Sequence, residues 1–159
     1  VICDDSLGFI VRRFSARDVE EYFALRRAIE DFVIPLVVEK ITGEEIQGLN
    51  ANVAEGEHLI QSGANIRDVI RSESQFHELL YRAAKSEVLY DTVSGLVDRF
   101  QWFRALALSV PDAAASSLSH HKRIIGFIER KEIEKFKKLM HEHLDEAQGR
   151  IIALPGILL

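Results

Sequence analysis

Apolar residues recur at intervals of three and four along most of this chain, and that spacing constrains its fold more than any other feature. An early example is the series Leu25, Ile29, Phe32 and Leu36. Alternation with a period of two, which would predict a strand, is convincing only at residues 7–11. Three prolines and nine glycines leave room for long regular elements. The sequence therefore predicts an all-α fold, an antiparallel bundle of about six helices.

Residues that cap helices divide the chain into its predicted elements. Ser15 and Asp18 resemble a helix start, and Thr42 with Glu45 forms a cleaner capping box. Pro35 is expected to kink the first helix or split it in two. The boundary between the last two helices carries no glycine or proline to mark it. The predicted helices cover approximately residues 15–40, 42–62, 65–85, 86–110, 115–130 and 132–152.

Composition and charge limit the classes of function. The chain has 47% apolar and 28% charged residues, as an ordinary globular domain does. Its net charge is −5, and the basic residues near its end are interleaved with glutamates, so the chain alone is not expected to bind DNA. The single cysteine, Cys3, excludes an internal disulfide. No signal peptide and no membrane-spanning stretch is recognised, so the expected location is the cytoplasm.

Three of the six histidines fall on the apolar faces of predicted helices. In the third helix, His77 shares its face with Glu73, and residues four apart project side by side. His121 lies in the apolar stripe of the fifth helix, and His143 lies in that of the sixth. Three imidazoles and one carboxylate are therefore expected to point into the bundle from three different helices.

These four inward groups favour a metal site over four separate core residues. A lone inward histidine is usually satisfied by hydrogen bonds, but a buried carboxylate needs a cation or several donors. One divalent ion would satisfy all four groups, and such donors suit Zn, Ni, Co, Mn or Fe, with zinc or nickel as first candidates. Tetrahedral and octahedral coordination both stay open. The candidate ligands are Glu73, His77, His121 and His143.

The other histidines leave rival interpretations open. His141 shares its face with charged residues, His58 lies among polar ones, and His120 is ambiguous. Glu55 precedes His58 by three, the spacing of a di-metal carboxylate bundle, but no second copy accompanies it. A small metalloenzyme with an open metal position would usually add a general base beside the metal. A bundle that binds no metal is the remaining alternative.

Several short runs resemble the C-terminal effector (FCD) domain of the FadR subfamily of GntR transcription regulators. Residues 73–77 resemble its Asp-x-x-Phe-His signature, and residues 121–128 resemble its His-x-x-Ile-x-x-Ala-Ile pattern. Residues 140–144 are similar to its closing Met-x-x-His-Leu. Residues 25–30 resemble the Val-Arg-x-x-Leu-Glu of its first helix. Residues 8–11 look like the end of the wing in the winged-helix domain that precedes it.

The resemblance implies an effector domain, usually dimeric, that holds a metal through one Asp and three His and senses a small metabolite, often a carboxylate. The metal positions carry over onto the same four residues found from the helical faces. Arg26 would pair with the effector carboxylate, with an ion pair to Glu30 as the alternative. Arg99 and Arg104 are weaker candidates for the cavity wall. Glu73 stands where Asp is usual, which leaves metal choice and coordination number open.

The same resemblance implies a division of the chain. Residues 1–14 would be the wing and linker remnant of a winged helix-turn-helix domain that the chain lacks, and residues 15–159 would form the effector domain. The implied function is that of a metabolite-sensing and dimerisation domain, not an enzyme. It would control DNA binding through the separate domain.

Overall fold

Seven helices make up most of the described chain, which comprises residues 2–4, 8–10 and 15–154 of a computed structural model. Two three-residue strands pair antiparallel ahead of the helices, with Ile2 opposite Ile10. The predicted all-α bundle is confirmed, with seven helices in place of about six. The elements are β1 Ile2–Asp4, β2 Gly8–Ile10, α1 Ala16–Lys40, α2 Gly43–Gln61, α3 Ile66–Ala83, α4 Glu87–Ser94, α5 Val97–Leu108, α6 Ala113–Glu129 and α7 Ile133–Ile152.

Capping boxes begin α1 and α2, as the sequence predicts. The Ser15 hydroxyl accepts from the Asp18 backbone N–H at 3.1 Å, and the Asp18 carboxylate accepts from the Ser15 N–H at 2.8 Å. Thr42 and Glu45 repeat the arrangement at 3.2 and 2.8 Å. Helix α1 continues through Pro35 without a split, because buried residues on both sides of the proline hold the helix in the core.

The expected fourth helix is two helices, and this corrects the sequence prediction. Helix α4 ends at Ser94, and the Leu96 N–H donates to the Val93 carbonyl at 2.8 Å in the turn that separates it from α5. Helix α4 packs on α3, whereas α5 packs against α3, α6 and α7. The break lets Leu89 and Val93 cover α3 while Phe100 and Phe103 enter the core.

A lysine makes the boundary between α6 and α7 that the sequence leaves unmarked. Lys131 has φ 55°, in the left-handed region. Its N–H donates to the Ile128 carbonyl at 3.0 Å, and the Glu132 N–H donates to the Phe127 carbonyl at 2.9 Å, which is a Schellman motif. This conformation is rare for a residue with a Cβ, so it could not be predicted from the residue type at this position.

Helix α1 packs against α7 and α3, and its buried face is not the one that its apolar spacing suggests. Leu25 and Phe32, from the series that predicts this helix, are 48% and 59% exposed. Arg26 and Glu30 lie on the buried face instead, among residues such as Val33. The helix thus carries two charged groups into the interior of the bundle. Among the described helices, none is both long and apolar enough to cross a membrane.

Helix α2 approaches α6 closely at one glycine, which gives a stability prediction. A Cβ at Gly56 would lie 2.9 Å from the buried Leu118 side chain, whereas a Cβ at Gly48 of the same helix would meet nothing within 4 Å. We expect Gly48→Ala to raise the free energy of unfolding by about 0.5–1 kcal/mol through helix propensity. Gly56→Ala should lower it by about 1 kcal/mol through overpacking. Urea unfolding measures both, and equal stabilisation by the two variants would contradict the close approach.

Candidate metal centre

Three histidines from three helices meet in the interior of the bundle. His77 lies on α3, His121 on α6 and His143 on α7, and all three are buried. Each ring offers one nitrogen to a common point, and these three atoms lie within 4.8 Å of one another. The inward orientation predicted for these histidines is confirmed. Three neutral nitrogen donors at this separation suit a transition-metal ion.

Two of the three rings have a buried nitrogen that no other group satisfies. Nε2 of His77 and Nε2 of His121 have no hydrogen-bond partner within the described part of the chain. Burial, as the largest cause, holds the pKa of all three histidines well below the usual value, and nearby cations add to the effect. The rings are therefore neutral, as a metal ligand must be. Buried polar atoms without partners are rare in native proteins, so these residues fit a metal ion.

A stacked phenylalanine fixes the plane of one ring. Phe76 lies parallel to His121, with ring centroids 3.8 Å apart and planes 7° from parallel. Phe76 precedes His77 on α3, and its side chain is fully buried. One residue of α3 thus orients the His121 ring of α6, and the next residue, His77, brings its own ring to the same point.

Glu73 lies beside the three histidines but is not part of their mutual cluster. Its Oε2 is 3.7 Å from Nε2 of His121 and accepts a hydrogen bond from the Ser117 hydroxyl at 2.5 Å. Burial raises the pKa of Glu73 to about 7, and the hydrogen bond from Ser117 and the charge of Arg104 oppose that rise. In this conformation the carboxylate lies at the edge of the centre, with Ser117 as its partner. Its role as the fourth ligand stays a prediction.

Two arginines approach the centre from α1 and α5. Arg26 is buried, and its Nη2 lies 3.3 Å from Nδ1 of His77. Arg104 donates to the Ser74 hydroxyl at 2.7 Å, and burial, with Arg26 next, lowers the pKa of Arg104 to about 10. Arg99, the third predicted effector residue, is exposed. The structure therefore brings two of the three predicted arginines to the centre.

Two cavities adjoin this region. The larger, of about 330 Å³, lies between α3, α4 and α5, and His77, Tyr81, Phe100 and Arg104 are among the residues that line it. The smaller, of about 20 Å³, has room for roughly one water molecule. The residues around the smaller cavity include Arg26, Glu73, Arg104 and His143. Arg104 lines both cavities, so an anion in the larger one would meet its positive charge.

Glu30 is the residue of this region that the sequence prediction undervalued. It is fully buried, and its Oε1 accepts from the Tyr81 hydroxyl at 2.6 Å and lies 3.7 Å from Nε of Arg26. Its Oε2 has no hydrogen-bond partner among the described residues. Burial raises the pKa of Glu30, while Arg26 and Tyr81 oppose the rise. The available signal was the spacing of four from Arg26, which places both on one face of α1.

Residues on which the rival interpretations depend lie away from the centre. Glu55 and His58 are exposed on α2, which offers no support for a di-metal bundle. Glu142 and Asp145, the acids that flank His143 in sequence, are exposed on α7. Neither Glu142 nor Asp145 is therefore placed to act as a general base beside the centre.

His141 and His120 complete the set of histidines. Nε2 of His141 lies 3.0 Å from the Asp31 carboxylate. The side chain of His141 is 38% exposed, so this pair lies at the outer surface of α7. His120 is buried beside His143, and its Nε2 lies 3.7 Å from Glu146 at the bundle surface. The position of His120, which was ambiguous from the sequence, is therefore buried, but its ring is not part of the cluster of three.

The fold and the centre define an all-helical domain built around a buried three-histidine site with arginines beside it. The sequence profile of the FCD domain matches residues 21–146. The chain belongs to the FCD domain family, and the predicted resemblance is confirmed.

Two sequence relatives share most of this chain. The HTH-type transcriptional regulator YdhC of Bacillus subtilis (strain 168) is 28% identical over 142 residues, covering 89% of this chain and 63% of YdhC. The HTH-type transcriptional repressor RspR of Escherichia coli (strain K12) is 25% identical over 142 residues, covering 87% of this chain and 60% of RspR. The chain thus spans less than two-thirds of either relative. Both are named as transcriptional regulators and not as enzymes, in agreement with the sequence prediction.

Two solved structures share the fold. The metal-free FCD domain of TM0439 superposes with a TM-score of 0.73 at 22% identity, covering 89% of this chain and 96% of that one. GntR of Streptococcus agalactiae superposes with a TM-score of 0.69 at 21% identity, covering 92% of this chain and 65% of that one. These likenesses establish the helical architecture of the domain.

The burial of Glu73 predicts a pH dependence of stability in the metal-free protein. Because burial raises its pKa to about 7, the folded chain must ionise a buried carboxyl above that pH, whereas the unfolded chain ionises it freely above about 4.5. Its stabilising contribution is present below pH 4.5 and is lost as the pH rises through 7. We expect the stability of Glu73→Gln, relative to wild type, to rise by roughly 1–3 kcal/mol between pH 5 and pH 8.

Urea unfolding in the presence of a chelator measures this difference. The histidines titrate identically in the two unfolded chains, and burial keeps their rings neutral in the folded proteins. Glu78→Gln, at an exposed glutamate of the same helix, is the matched control. A stability difference that stays constant across this pH range would show that Glu73 keeps an ordinary pKa.

Proposed function

We propose that this chain is the metabolite-sensing, metal-binding effector domain of a GntR-type transcription regulator. The observation that carries the proposal is the group of three buried, neutral imidazoles from α3, α6 and α7, whose ligand atoms lie within 4.8 Å of one another. Membership of the FCD family supports it, as do relatives named as HTH-type regulators. Residues 1–14 would then belong to the wing and linker of a DNA-binding domain.

His77, His121 and His143 would hold a divalent transition-metal ion, with zinc or nickel as first candidates, and Glu73 would supply a fourth donor. When bound, the ion supplies a Lewis-acid position that can accept a carboxylate oxygen. The residues of the chain do the rest. Phe76 fixes the plane of the His121 ring, and the Ser117 hydroxyl donates a hydrogen bond to Glu73 beside the centre.

The effector would be a small carboxylate that enters the cavity between α3, α4 and α5. That cavity, at about 330 Å³, limits the ligand to a small molecule. Arg104 lines this cavity, and Arg26 lines the smaller cavity that also touches Arg104, so we assign Arg104 as the direct partner of the carboxylate and Arg26 as a second guanidinium close to it. A planar guanidinium pairs well with a carboxylate. Arg99 is left out of this proposal because its side chain is exposed.

Signalling would follow from differential binding. A ligand shifts an equilibrium between two conformations only by the difference in its affinities for them. In a cytoplasmic homodimer, the conformation that the effector favours would set the separation of two attached DNA-binding domains. Coupling between effector and DNA is then reciprocal, since each changes the affinity for the other by the same factor.

Elemental analysis of dialysed protein tests the metal centre. We expect about one zinc or nickel ion per chain in the wild type. His121→Ala should lose the ion because it removes one of three nitrogen donors. Glu73→Ala should lower the affinity by at least about tenfold. His141→Ala, which removes a histidine that pairs with Asp31 outside the centre, should keep the full content. Full content in both His121→Ala and Glu73→Ala would remove the proposed site.

Thermal unfolding of the metal-loaded protein tests the effector. We expect at least one carboxylic acid of about two to six carbons, at roughly 100 times its dissociation constant, to raise the Tm by about 5 °C. The matching amide should not raise it. Arg104→Gln and Arg26→Gln should lose the shift, whereas Arg99→Gln on the same helix as Arg104 should keep it. Shifts of equal size for acid and amide, or shifts that survive in both Arg104→Gln and Arg26→Gln, would contradict the assignment.

A further inference from the structure

The two ring nitrogens of His77 have different surroundings. Nδ1 lies 3.3 Å from Nη2 of Arg26, and Nε2 is buried with no partner among the described residues. A guanidinium has only donors, so Nδ1 must accept this hydrogen bond. The neutral ring therefore carries its proton on Nε2 in the arrangement that the structure shows.

An ion in the proposed centre requires the other tautomer. Because Nδ1 is engaged with Arg26, Nε2 is the nitrogen left to bind a metal, and it needs a free lone pair to do so. The proton must then sit on Nδ1, where it would face the N–H of Arg26. Two donors cannot share one hydrogen bond. His77 must therefore exchange Arg26 for an acceptor when it binds an ion.

Glu30 is the acceptor within reach. Its Oε1 lies 4.0 Å from Nδ1 of His77 and already accepts from Tyr81. Its Oε2 is buried and has no hydrogen-bond partner in the described chain, so the carboxylate has unused acceptor capacity. A metal-bound histidine usually donates its second ring N–H to such a carboxylate, which fixes the tautomer.

We propose that Glu30 is a positioning residue that accepts the Nδ1–H of His77 when an ion is bound, and that this exchange moves Arg26 off His77. The inference rests on the proposed metal centre and adds a regulatory link to it. Arg26, released from His77, becomes free to pair with the effector carboxylate. Ion and effector then strengthen each other's binding, because each favours the same arrangement of Arg26.

The tautomer of His77 is measurable directly. Long-range ¹H–¹⁵N spectra of histidine-labelled wild type, with chelator and then with one equivalent of zinc, distinguish the two tautomers. We expect Nε2–H without zinc and Nδ1–H with zinc bound through Nε2. If wild type binds no zinc, the proposed centre fails and this inference fails with it. If zinc binds and the tautomer stays the same, or zinc binds through Nδ1, the inference alone is overturned.

Substitution of Glu30 tests the acceptor. Glu30→Met removes the acceptor oxygens at similar length, and Glu30→Gln keeps one of them. We expect a loss of zinc affinity of about 10- to 100-fold in Glu30→Met and a smaller loss in Glu30→Gln. Glu39→Met, at an exposed glutamate of the same helix, should bind zinc as wild type does. Affinities are measured by competition with a chromophoric chelator.

The fold of each variant is checked by its circular dichroism and metal-free Tm. If Glu30→Met does not fold, Glu30→Gln and the wild-type spectra still decide the question. A variant that is merely destabilised would bind zinc more weakly, but the zinc that it does bind would still be held by the same tautomer of His77. The tautomer therefore separates a specific effect from a loss of structure. A folded Glu30→Met that binds zinc with wild-type affinity would overturn the role of Glu30.

Discussion

The removal of ionisable side chains from water in the middle of the bundle is the constraint on which the rest of the structure depends. Arg26 and Glu30 enter the interior on α1, and His77 enters on α3 with Glu73. Each would be costly alone, and each is eased by a neighbour on another helix, as Glu30 is by Tyr81. The contacts that relieve this cost also hold α1 against α3. Six buried side-chain atoms of the described residues still lack a hydrogen-bond partner, and four of them belong to Arg26, Glu30, His77 and His121, around the candidate metal centre.

The inward histidines could be predicted because their helices are simply amphipathic. On α3, α6 and α7 the apolar residues define one face, so His77, His121 and His143 could be assigned to it from spacing alone. Their mutual approach depends on packing between helices; it was inferred from the inward direction of all three, and the family resemblance implied the same four positions. Glu73 shows the limit of spacing: the helix places it on the correct face, but its rotamer and its bond to Ser117 hold it at the edge of the centre.

The buried face of helix α1 could not be predicted from apolar spacing, because this helix is apolar on more than one side. Leu25 and Phe32 of its apolar series face outward, and the buried face includes Arg26 and Glu30. No spacing argument places two charges in the core when an apolar stripe is available. The break before α5 and the left-handed Lys131 were likewise invisible, since tertiary packing imposes both against local preference.

The stack of Phe76 on His121 has a consequence for how this domain would respond to metal supply. A ring clamped between helices has already lost its rotational freedom when the chain folds, and an arriving ion need not order it again. The clamp belongs to an extensive core of buried aromatic and aliphatic side chains, to which His121 adds its ring. In the proposed centre, an ion would therefore meet a ring that the core already orients, and its binding would cost less conformational entropy.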